Sequence, residues 1–492
     1  MIGVGIGIPF FKSFGGIDAQ AQAHFNRVIA DGGLIPSGLS GVNAFFTTVK
    51  TIYGTADITT AISVGLDAQV LGYKLGAGAG TTAGQAAQKL YSCSGASGDV
   101  VQATAASQPL LLTFDGVNKY FQNINIADNS CSCPITLTQT DTLEFVAKLD
   151  LTNSVGYAIG TVDNAAGSRA FYALYDGASF GLLYGSGLSQ SVTASVTTNR
   201  YNGWFRVTLE KSGSNSLIKF YKSDEFNITD KNLVTWVQIG STITGTYAAM
   251  PTTLSDFNIL SGGQASNTTF AKVYYAQVSE SIGGSPLAVF NPNQYNAATS
   301  QTQWTSSTGE VWTINTGTAT TGYKGVLVDR TIMQGDGVDD SLVTSATINL
   351  GSVFTLYGAF KGYNNEGGSG KSLFGKSNID GAVTRFTSSV LSSWIGAGGN
   401  ARVDQNATTT NLNLTTFKRK VSDNTIQVNN GSIATNTNSV AISQSTIFIF
   451  LASTLGASNG LFNSGVISII EDNTTQKTAM YNYIKSINNS AF

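Results

Sequence analysis

The chain carries the segment Phe114-Asp-Gly-Val-Asn-Lys-Tyr-Phe121, which recurs as Gly335-Asp-Gly-Val-Asp-Asp-Ser-Leu342. The first aspartates of the two copies are 336 − 115 = 221 residues apart. Similar sequence surrounds them, since a strand-like segment follows each copy, Leu143–Leu149 after the first and Phe354–Phe360 after the second. Self-similarity at a fixed spacing predicts two homologous units in tandem.

Both units have the sequence pattern of antiparallel β proteins. Short alternating or β-branched segments, such as Arg206–Glu210, Leu217–Tyr221 and Lys272–Val278, are separated by Gly, Asn, Asp and Ser. The chain has 55 glycines and only 7 prolines, which indicates turns made mainly with glycine. The pattern predicts antiparallel sandwiches or jelly rolls.

The N-terminal residues have a helical pattern instead. Apolar residues recur at helical spacing from Asp18 to Ala30, before a stop at Asp31-Gly32-Gly33, and again from Leu39 to Ile52. This predicts a small helical hairpin, in which His24 lies beside the apolar face and has a structural role. The predicted organisation is an N-terminal helical attachment region at residues 1–89, a first jelly roll at 90–285 and a second at 286–492.

Composition excludes several classes of partner and chemistry. The 492 residues include 27 Lys and Arg against 29 Asp and Glu, a net charge of −2, so no polybasic surface is expected for nucleic acid. Charged residues make up only 11% of the chain, and Ser, Thr, Asn and Gly fill the other non-apolar positions. One histidine leaves little for a Ser-His-Asp triad. Cys93 either pairs with Cys131 or Cys133, or all three are buried thiols.

Targeting and cofactor motifs are weak. No stretch approaches the ~20 uninterrupted apolar residues of a membrane helix, and the apolar start Met1–Phe14 lacks the basic region of a signal peptide. The segment Gly76–Gly84 contains Gly78-x-Gly80-x-x-Ala83, the outline of a dinucleotide-binding fingerprint, but no βαβ pattern surrounds it. We interpret Gly76–Gly84 as a linker.

The ordered motifs of each unit resemble laminin-G-like, concanavalin-A-like lectin domains. In the first unit they are Phe114–Phe121, Thr142–Leu149, Gly203–Leu209, Ile218–Tyr221 and a closing strand at Ala271–Val278. In the second they are Gly335–Leu342, Phe354–Phe360, Thr416–Lys420, Thr425–Gly431 and a terminal helix around Thr474–Ile487, without the Gly-Trp of the central strand. The resemblance implies a mainly β fold, with two tandem antiparallel jelly-roll sandwiches after the helical N-terminal region.

The whole arrangement is similar to structural proteins of bacteriophage virions. The similarity rests on the helical, glycine-rich N-terminal segment and on Leu90–Leu112, LYSCSGASGDVVQATAASQPLLL, which leads into the first Asp-Gly-Val. It implies a head fibre, other fibre, spike or capsid decoration at the virion surface, assembled in the host cytoplasm. The N-terminal region would contact other virion proteins, and the lectin-like domains a host glycan or neighbouring subunits. Homo-oligomers, with trimers favoured, are the expected assembly.

The glycosidases that share this jelly roll carry a Glu-x-Asp-x-x-Glu strand motif, which does not occur in the sequence. Sugar hydrolysis needs two carboxylates about 5 to 9 Å apart. Glu144, Glu210, Glu280 and Glu310 are isolated, and we interpret them as parts of solvated faces. We therefore expect no enzyme activity.

Two candidate sites remain. Trp304 and Trp312 lie in a Ser/Thr-rich stretch without apolar periodicity, where they either contact a glycan or a partner subunit or cap the second sandwich. Asp336, Asp339 and Asp340 either supply oxygen ligands to Ca²⁺ or form a turn. No other cofactor is expected.

The sequence thus predicts a non-enzymatic virion structural protein with lectin-like domains. The alternative is a secreted or cell-surface carbohydrate-binding adhesin of a bacterium, which a signal sequence upstream of Met1 or a disulfide at Cys93 would favour. A third hypothesis, a polysaccharide depolymerase, requires the release of reducing ends from host capsule.

Overall fold

The structure is a computed structural model of the chain. It describes residues 16–76, 86–123, 131–138, 141–152, 157–161, 170–175, 179–186, 190–195, 200–252, 254–259, 270–295, 302–314, 325–336, 339–350, 353–362, 371–376, 383–387, 390–394, 403–406, 413–419, 423–437, 444–452, 456–457 and 459–488. The apolar start of the chain and most of the glycine-rich segment Gly76–Gly84 lie outside these residues.

The described elements fall into three consecutive groups. The first is α1 (Ala19–Ala30), α2 (Gly38–Tyr53), β1 (Ile62–Asp67), β2 (Tyr73–Leu75), β3 (Ala87–Leu90), β4 (Val100–Val101) and β5 (Leu110–Leu112). The second is β6 (Tyr120–Asn123), β7 (Cys131–Thr136), β8 (Thr142–Thr152), β9 (Tyr157–Thr161), β10 (Phe171–Tyr175), β11 (Ser179–Tyr184), β12 (Gln190–Ser195), β13 (Arg200–Ser212), β14 (Asn215–Ser223), β15 (Val237–Thr246), β16 (Leu254–Ile259), β17 (Phe270–Ser279), β18 (Ala288–Phe290), β19 (Gln303–Thr305), β20 (Val311–Ile314) and β21 (Val326–Val328). The third is β22 (Ile332–Asp336), β23 (Leu342–Thr344), β24 (Ile348–Asn349), β25 (Phe354–Gly362), β26 (Lys371–Lys376), β27 (Val383–Thr387), β28 (Val390–Trp394), β29 (Val403–Asn406), β30 (Asn413–Arg419), β31 (Asn424–Val428), β32 (Ile433–Asn436), β33 (Gln444–Ser445), β34 (Ile447–Ile449), β35 (Leu451–Ala452), β36 (Gly456–Ala457), β37 (Asn459–Ser468) and α3 (Thr474–Ile487).

The first sandwich is built from two antiparallel sheets. Sheet I has the strand order β15-β14-β13-β8-β17-β6-β21, with β18 also beside β17, and sheet II has the order β12-β11-β10-β9-β16-β7-β20-β19. Phe145 and Phe205 of sheet I pack on Phe171, Phe180 and Phe257 of sheet II, and the Phe180 and Phe205 rings stack with centroids 4.1 Å apart. The alternation along β8 and β13 puts these rings on the inner face and leaves the next side chains for the outer face.

The second sandwich repeats this arrangement. Sheet III has the order β32-β31-β30-β25-β37-β22-β5, with β1 also beside β37, and sheet IV has the order β2-β3-β4-β23-β34-β26-β27-β28-β29. Strand for strand, sheet III follows the order of sheet I, with β25, β30 and β37 in the places of β8, β13 and β17. The fold is therefore mainly β, with two antiparallel jelly-roll sandwiches after a helical N-terminal region, as the sequence predicts.

The strand pairing departs from the predicted boundaries at residues 90 and 286. β18 to β21, within residues 288–328, complete the first sandwich. β1 to β5, within residues 62–112, complete the second sandwich. Each repeat thus contributes its N-terminal strands to the other sandwich. Along the sequence, the strands of the first sandwich (β6–β21) therefore follow one set of strands of the second sandwich (β1–β5) and precede the other (β22–β37). The N-terminal region is correspondingly not a separate unit.

Two chain segments join the sandwiches and pair with each other as a two-stranded ribbon, formed by β5–β6 and β21–β22. The chain passes from β5 in sheet III to β6 in sheet I, and it returns from β21 in sheet I to β22 in sheet III. β5 pairs with β22, and β6 pairs with β21. The apolar side chains of both halves form one buried cluster, which includes Leu112, Tyr120, Val328 and Ile332. The ribbon therefore buries apolar surface where the chain passes between the two sandwiches.

The two Asp-Gly-Val copies lie at different points of this arrangement. The first precedes β6, where Asp115 accepts hydrogen bonds from the backbone of Val117 and Asn118 at 2.8 and 2.7 Å. The second begins at the end of β22, and Gly337 and Val338 lie outside the described residues. The duplication is therefore clearer in the strand order than in this short motif.

The helices cover the outer face of sheet III. Phe45, Phe46 and Val49 of α2 share a buried cluster with strand residues of sheet III and with Met480 and Ile484 of α3. Asp18 caps α1 by accepting from the backbone of Gln20 and Ala21, and Gly54 ends α2 at φ +64°, a conformation that favours glycine. The predicted helical hairpin is confirmed, but it packs on the second sandwich.

His24 holds α1 to the sandwich, in agreement with its predicted structural role. Its side chain is buried, and its Nε2 lies 2.8 Å from the carbonyl oxygen of Leu71, so Nε2 carries the proton. The Nη2 group of Arg27 lies 3.4 Å from Nδ1, and Arg27 also pairs with the buried Asp99 at 2.6 Å. Burial lowers the pKa of His24 below 6.5, because the charged ring loses its hydration.

This lowered pKa predicts a pH-dependent stability. Below about pH 6.5 the unfolded chain binds more protons at His24 than the folded chain, so stability is present above that pH and is lost as the pH falls. We expect the melting temperature of the wild type to fall between pH 7.5 and 5.5 by calorimetry, and His24→Gln to show a flatter profile. Equal profiles for the two proteins would contradict this role of His24.

The cysteines and the helices give two further findings. Cys93, Cys131 and Cys133 are all buried and free, and burial raises the pKa of the Cys93 thiol to about 12. The predicted alternative of buried thiols is therefore the one observed. Among the described helices, none is long and apolar enough to span a membrane.

Candidate functional site

An open cleft lies on the outer face of sheet I, the face turned away from sheet II. Its floor is formed by Glu144 and Val146 of β8 and by Arg206 of β13. Its walls are the connection between β14 and β15 and Gly283 of the turn after β17. The side chains on the floor face outward because Phe145 and Phe205, their neighbours in sequence, face the core.

An ion pair between the buried Glu144 and the partly exposed Arg206 organises the floor of the cleft. The Nε and Nη2 groups of Arg206 lie 2.6 and 2.5 Å from Oε1 of Glu144, and the backbone N–H of Gly283 donates to Oε2 at 3.0 Å. Glu144 is only 3% exposed. Both carboxylate oxygens are thus engaged, and the paired charges are fixed in one geometry.

An aromatic ring and two polar side chains complete the cleft. Trp236 is half-buried and lies beside the Arg206 guanidinium, 5.8 Å from the ring centroid, while Tyr221 is 5.2 Å away from the same group. Lys231 and Asn232 contribute to the walls, and the cleft has a volume of about 230 Å³. This is below the roughly 300–1,000 Å³ of typical small-molecule pockets, so the cleft suits one ring of a larger ligand.

The connection that carries these walls is held on the sheet by its own contacts. The indole N–H of Trp204 donates to the carbonyl of Ile228 at 3.1 Å, and Val234 packs on Trp204 and Val146. Glu225 accepts from the backbone N–H of Thr235 at 2.7 Å, which ties the two ends of the connection together. Trp236 also packs against this cluster, so the connection holds its ring in place on the sheet.

Lys148 occupies another part of the same sheet face. Its ammonium lies 4.5 Å from the ring centroid of Phe226, 5.6 Å from that of Tyr274 and 5.8 Å from that of Trp204. Burial lowers the pKa of Lys148, and the charge of Asp115 partly offsets this effect. These contacts are cation–π interactions of a buried lysine, and side chains fill the space around it.

The structure places Trp304 and Trp312 in the core of the first sandwich, which corrects both predicted roles. They face each other across the β19–β20 hairpin, with ring centroids 6.2 Å apart, and are 6% and 0% exposed. The indole N–H of Trp312 donates to the carbonyl of Val289 at 2.9 Å. Neither ring is available to a glycan. The hairpin strands are too short to show periodicity in sequence, which explains the error.

The predicted aspartates do come together. Asp336, Asp339 and Asp340 each place one carboxylate oxygen within 4.8 Å of the others. The same groups also hold a turn, because Asp340 accepts from the backbone N–H of Asp336 at 2.9 Å and Ser107 donates to Asp339 at 2.8 Å. An oxygen set of this kind suits Ca²⁺. Calcium binding at these residues stays a prediction.

The residues of the cleft were missed by sequence reasoning. Glu144 was expected on a solvated face, but it is buried against Arg206. Its partner is 62 residues away, and the pair depends on the register of β8 with β13, in which Val146 lies opposite Arg206. Trp236 directly precedes β15 and belongs to no recognisable motif. The outward positions beside Phe145 and Phe205 were the one available signal.

Comparisons with known proteins add little to this description. No protein-family model and no curated protein sequence matches the chain. Among solved structures, domains LG4-5 of the mouse laminin α1 chain are similar at 11% identity and a TM-score of 0.24, over 73% of this chain and 93% of that one. Trypanosoma rangeli sialidase is similar at 9% identity and a TM-score of 0.26, over 63% and 68%. Sucrose-6-phosphate hydrolase from Lactobacillus gasseri is similar at 10% identity and a TM-score of 0.18, over 65% and 76%.

Proposed function

We propose that this protein is a non-enzymatic carbohydrate-binding protein and that the cleft of Glu144, Arg206 and Trp236 is its binding site. The observation that carries the proposal is the combination of a half-exposed indole with a fixed ion pair and an amide in one concave site. Apolar faces of sugar rings pack on aromatic side chains, and sugar hydroxyls need donors and acceptors held in place.

The single described acidic residue of the cleft favours a binding role over a hydrolytic one. Glu144 is the one carboxylate among the described lining residues, and both of its oxygens are engaged by Arg206 and Gly283. Glycoside hydrolysis needs a second carboxylate about 5 to 9.5 Å from the first. We therefore propose binding rather than hydrolysis in this cleft, and the release of reducing ends from host capsule would contradict this.

Trp236→Ala tests this proposal. We expect the variant to lose at least about tenfold in affinity for oligosaccharides that bind the wild type on a glycan panel, because truncation of a central aromatic contact typically costs over ~1.4 kcal/mol. Leu233→Ala is the matched control, since Leu233 is 70% exposed on the same connection and does not line the cleft. Asn232→Ala, at an exposed position of the wall, provides a second variant with little risk to folding.

Two results would contradict the proposal. One is the absence of binding by the wild type across the panel. The other is unchanged affinity in both Trp236→Ala and Asn232→Ala, with circular dichroism showing that both variants are folded.

We further propose that the protein is displayed on a bacteriophage virion and that its N-terminal region contacts other virion proteins. Support comes from the sequence resemblance and from exposed apolar side chains in this region, where Ile17, Ile29 and Leu34 are 49–54% exposed. Homo-oligomers, trimers above all, are part of this proposal. Mass spectrometry of washed particles should find the protein, and light scattering should give its oligomeric state. Its absence from the particles would favour the bacterial adhesin.

A further inference from the structure

The cleft holds more positive than negative charge. Among the described lining residues the charged side chains are Glu144, Arg206 and Lys231. Glu144 and Arg206 neutralise each other at 2.5 Å, which leaves the ammonium of Lys231 uncompensated. Its hydrogen bond goes to the amide oxygen of Asn232 at 3.2 Å, and within the described part of the chain no carboxylate forms an ion pair with it. The neighbouring Asp230 is exposed, accepts from the backbone N–H of Asn232 and does not line the cleft.

Arg206 retains donor capacity although it is paired. Glu144 takes Nε and Nη2, and the described residues provide no hydrogen-bond acceptor for Nη1. The guanidinium is also held near Tyr221 and Trp236, at 5.2 and 5.8 Å from their ring centroids. A planar guanidinium fixed in this way is a preorganised donor for an anionic oxygen.

We propose that the cleft prefers saccharides with an anionic substituent, and that Lys231 and Arg206 contact that substituent while the sugar ring packs on Trp236. This inference rests on the proposed carbohydrate-binding function and names the class of its ligand. A carboxylate, sulfate or phosphate on a sugar ring presents the same chemistry, namely oxygens that accept charge-assisted hydrogen bonds. A neutral sugar leaves the charge of Lys231 without a partner.

The test compares oligomers of equal length that differ only in charge. Glucuronic acid oligomers, sulfated glucose oligomers and unmodified glucose oligomers are titrated into the wild-type protein by calorimetry at 0.15 M and 0.5 M NaCl. We expect at least one anionic series to bind about tenfold more tightly than the neutral series at the lower salt. At the higher salt the difference in affinity should be smaller, because salt screens the charges. The two anionic arms distinguish carboxylate from sulfate.

Lys231→Gln should bring the ratio of anionic to neutral affinity close to one, because the contact of the ammonium with the anionic substituent is what distinguishes the two series. Lys222→Gln is the matched control, because Lys222 pairs with the exposed Asp224 at 3.5 Å and does not line the cleft. Equal affinity of the wild type for neutral and anionic oligomers would overturn the anionic preference while the carbohydrate-binding function stands. Failure of neutral and anionic oligomers alike, together with an empty glycan panel, would instead contradict the carbohydrate-binding function itself.

Discussion

The Arg330→Ala variant is expected to lose about 3–5 kcal/mol of unfolding free energy, the typical cost of leaving one partner of a buried ion pair alone. Arg330 lies where the chain returns from the first sandwich to the second, and its Nη2 lies 2.8 Å from both carboxylate oxygens of Asp67 at the end of β1. Its Nη1 donates to Asn488 at 2.6 Å and to the carbonyl of Ile487 at the end of α3. Arg330 and Asp67 are 3% and 1% exposed. One side chain thus connects the exchanged strands, the ribbon and the C-terminal helix.

Urea unfolding followed by circular dichroism measures this loss. Arg330→Lys keeps the positive charge but loses the planar guanidinium that bonds to Asp67 and Asn488 at once. We therefore expect it to lose less unfolding free energy than Arg330→Ala and to fold more readily. In the double variant with Asp67→Ala, the combined loss should be smaller than the sum of the two single losses. A cost below about 1 kcal/mol for Arg330→Ala would contradict the buried pair of Arg330 with Asp67.

The second large effect is expected from Trp312→Ala, at about 3–5 kcal/mol. Trp312 is fully buried, with ring centroids 5.6 Å from Phe257 and 5.0 Å from Phe290. Truncation leaves a cavity in the first sandwich and deprives the Val289 carbonyl of its donor. Thermal or urea unfolding of the first sandwich measures the loss.

Trp312→Phe separates stability from binding. It fills part of the cavity, so it should cost less than the alanine variant, and it should bind oligosaccharides with wild-type affinity at temperatures where it is folded. An exposed glycan-contacting tryptophan would behave in the opposite way, with little loss of stability and a large loss of affinity.

Much of the fold could be predicted from sequence because the strands of a half-buried sheet alternate. Gly203–Leu209 and Ile218–Tyr221 lie in β13 and β14, where Phe205, Val207, Ile218 and Phe220 face the core. The helices were readable for the same reason, since Phe45, Phe46 and Val49 recur at helical spacing and are buried. In both cases the local period reports which face is covered.

The exchange of N-terminal strands could not be predicted in this way. β5 and β21 are both short apolar strands, Leu110–Leu112 and Val326–Val328. In sequence β5 comes just before the strands of the first sandwich and β21 just before those of the second, yet each joins the other sandwich. Their local patterns do not state which of two related sheets they join. The choice depends on the ribbon between the sandwiches and on long-range pairs such as Arg330 with Asp67.

The candidate site was hidden for a related reason. Its ion pair joins Glu144 and Arg206 across neighbouring strands, and its aromatic residue, Trp236, follows on a separate connection. Sequence reasoning favoured Trp304 and Trp312 because their surroundings are polar, although a two-stranded hairpin buries both. Asp336, Asp339 and Asp340 come together because they are close in sequence, and calcium binding by them stays a prediction.

Hydrogen exchange with mass spectrometry tests the central claim most directly, because it compares all candidate sites in one experiment. The protein is measured with and without a saturating amount of the oligosaccharide that binds most tightly. Carbohydrate binding in the cleft predicts slower exchange of the backbone in residues 225–236 and around Gly283. Protection confined to the tryptophan hairpin at 302–314 or to the aspartates at 336–344, with none at 225–236, would contradict it.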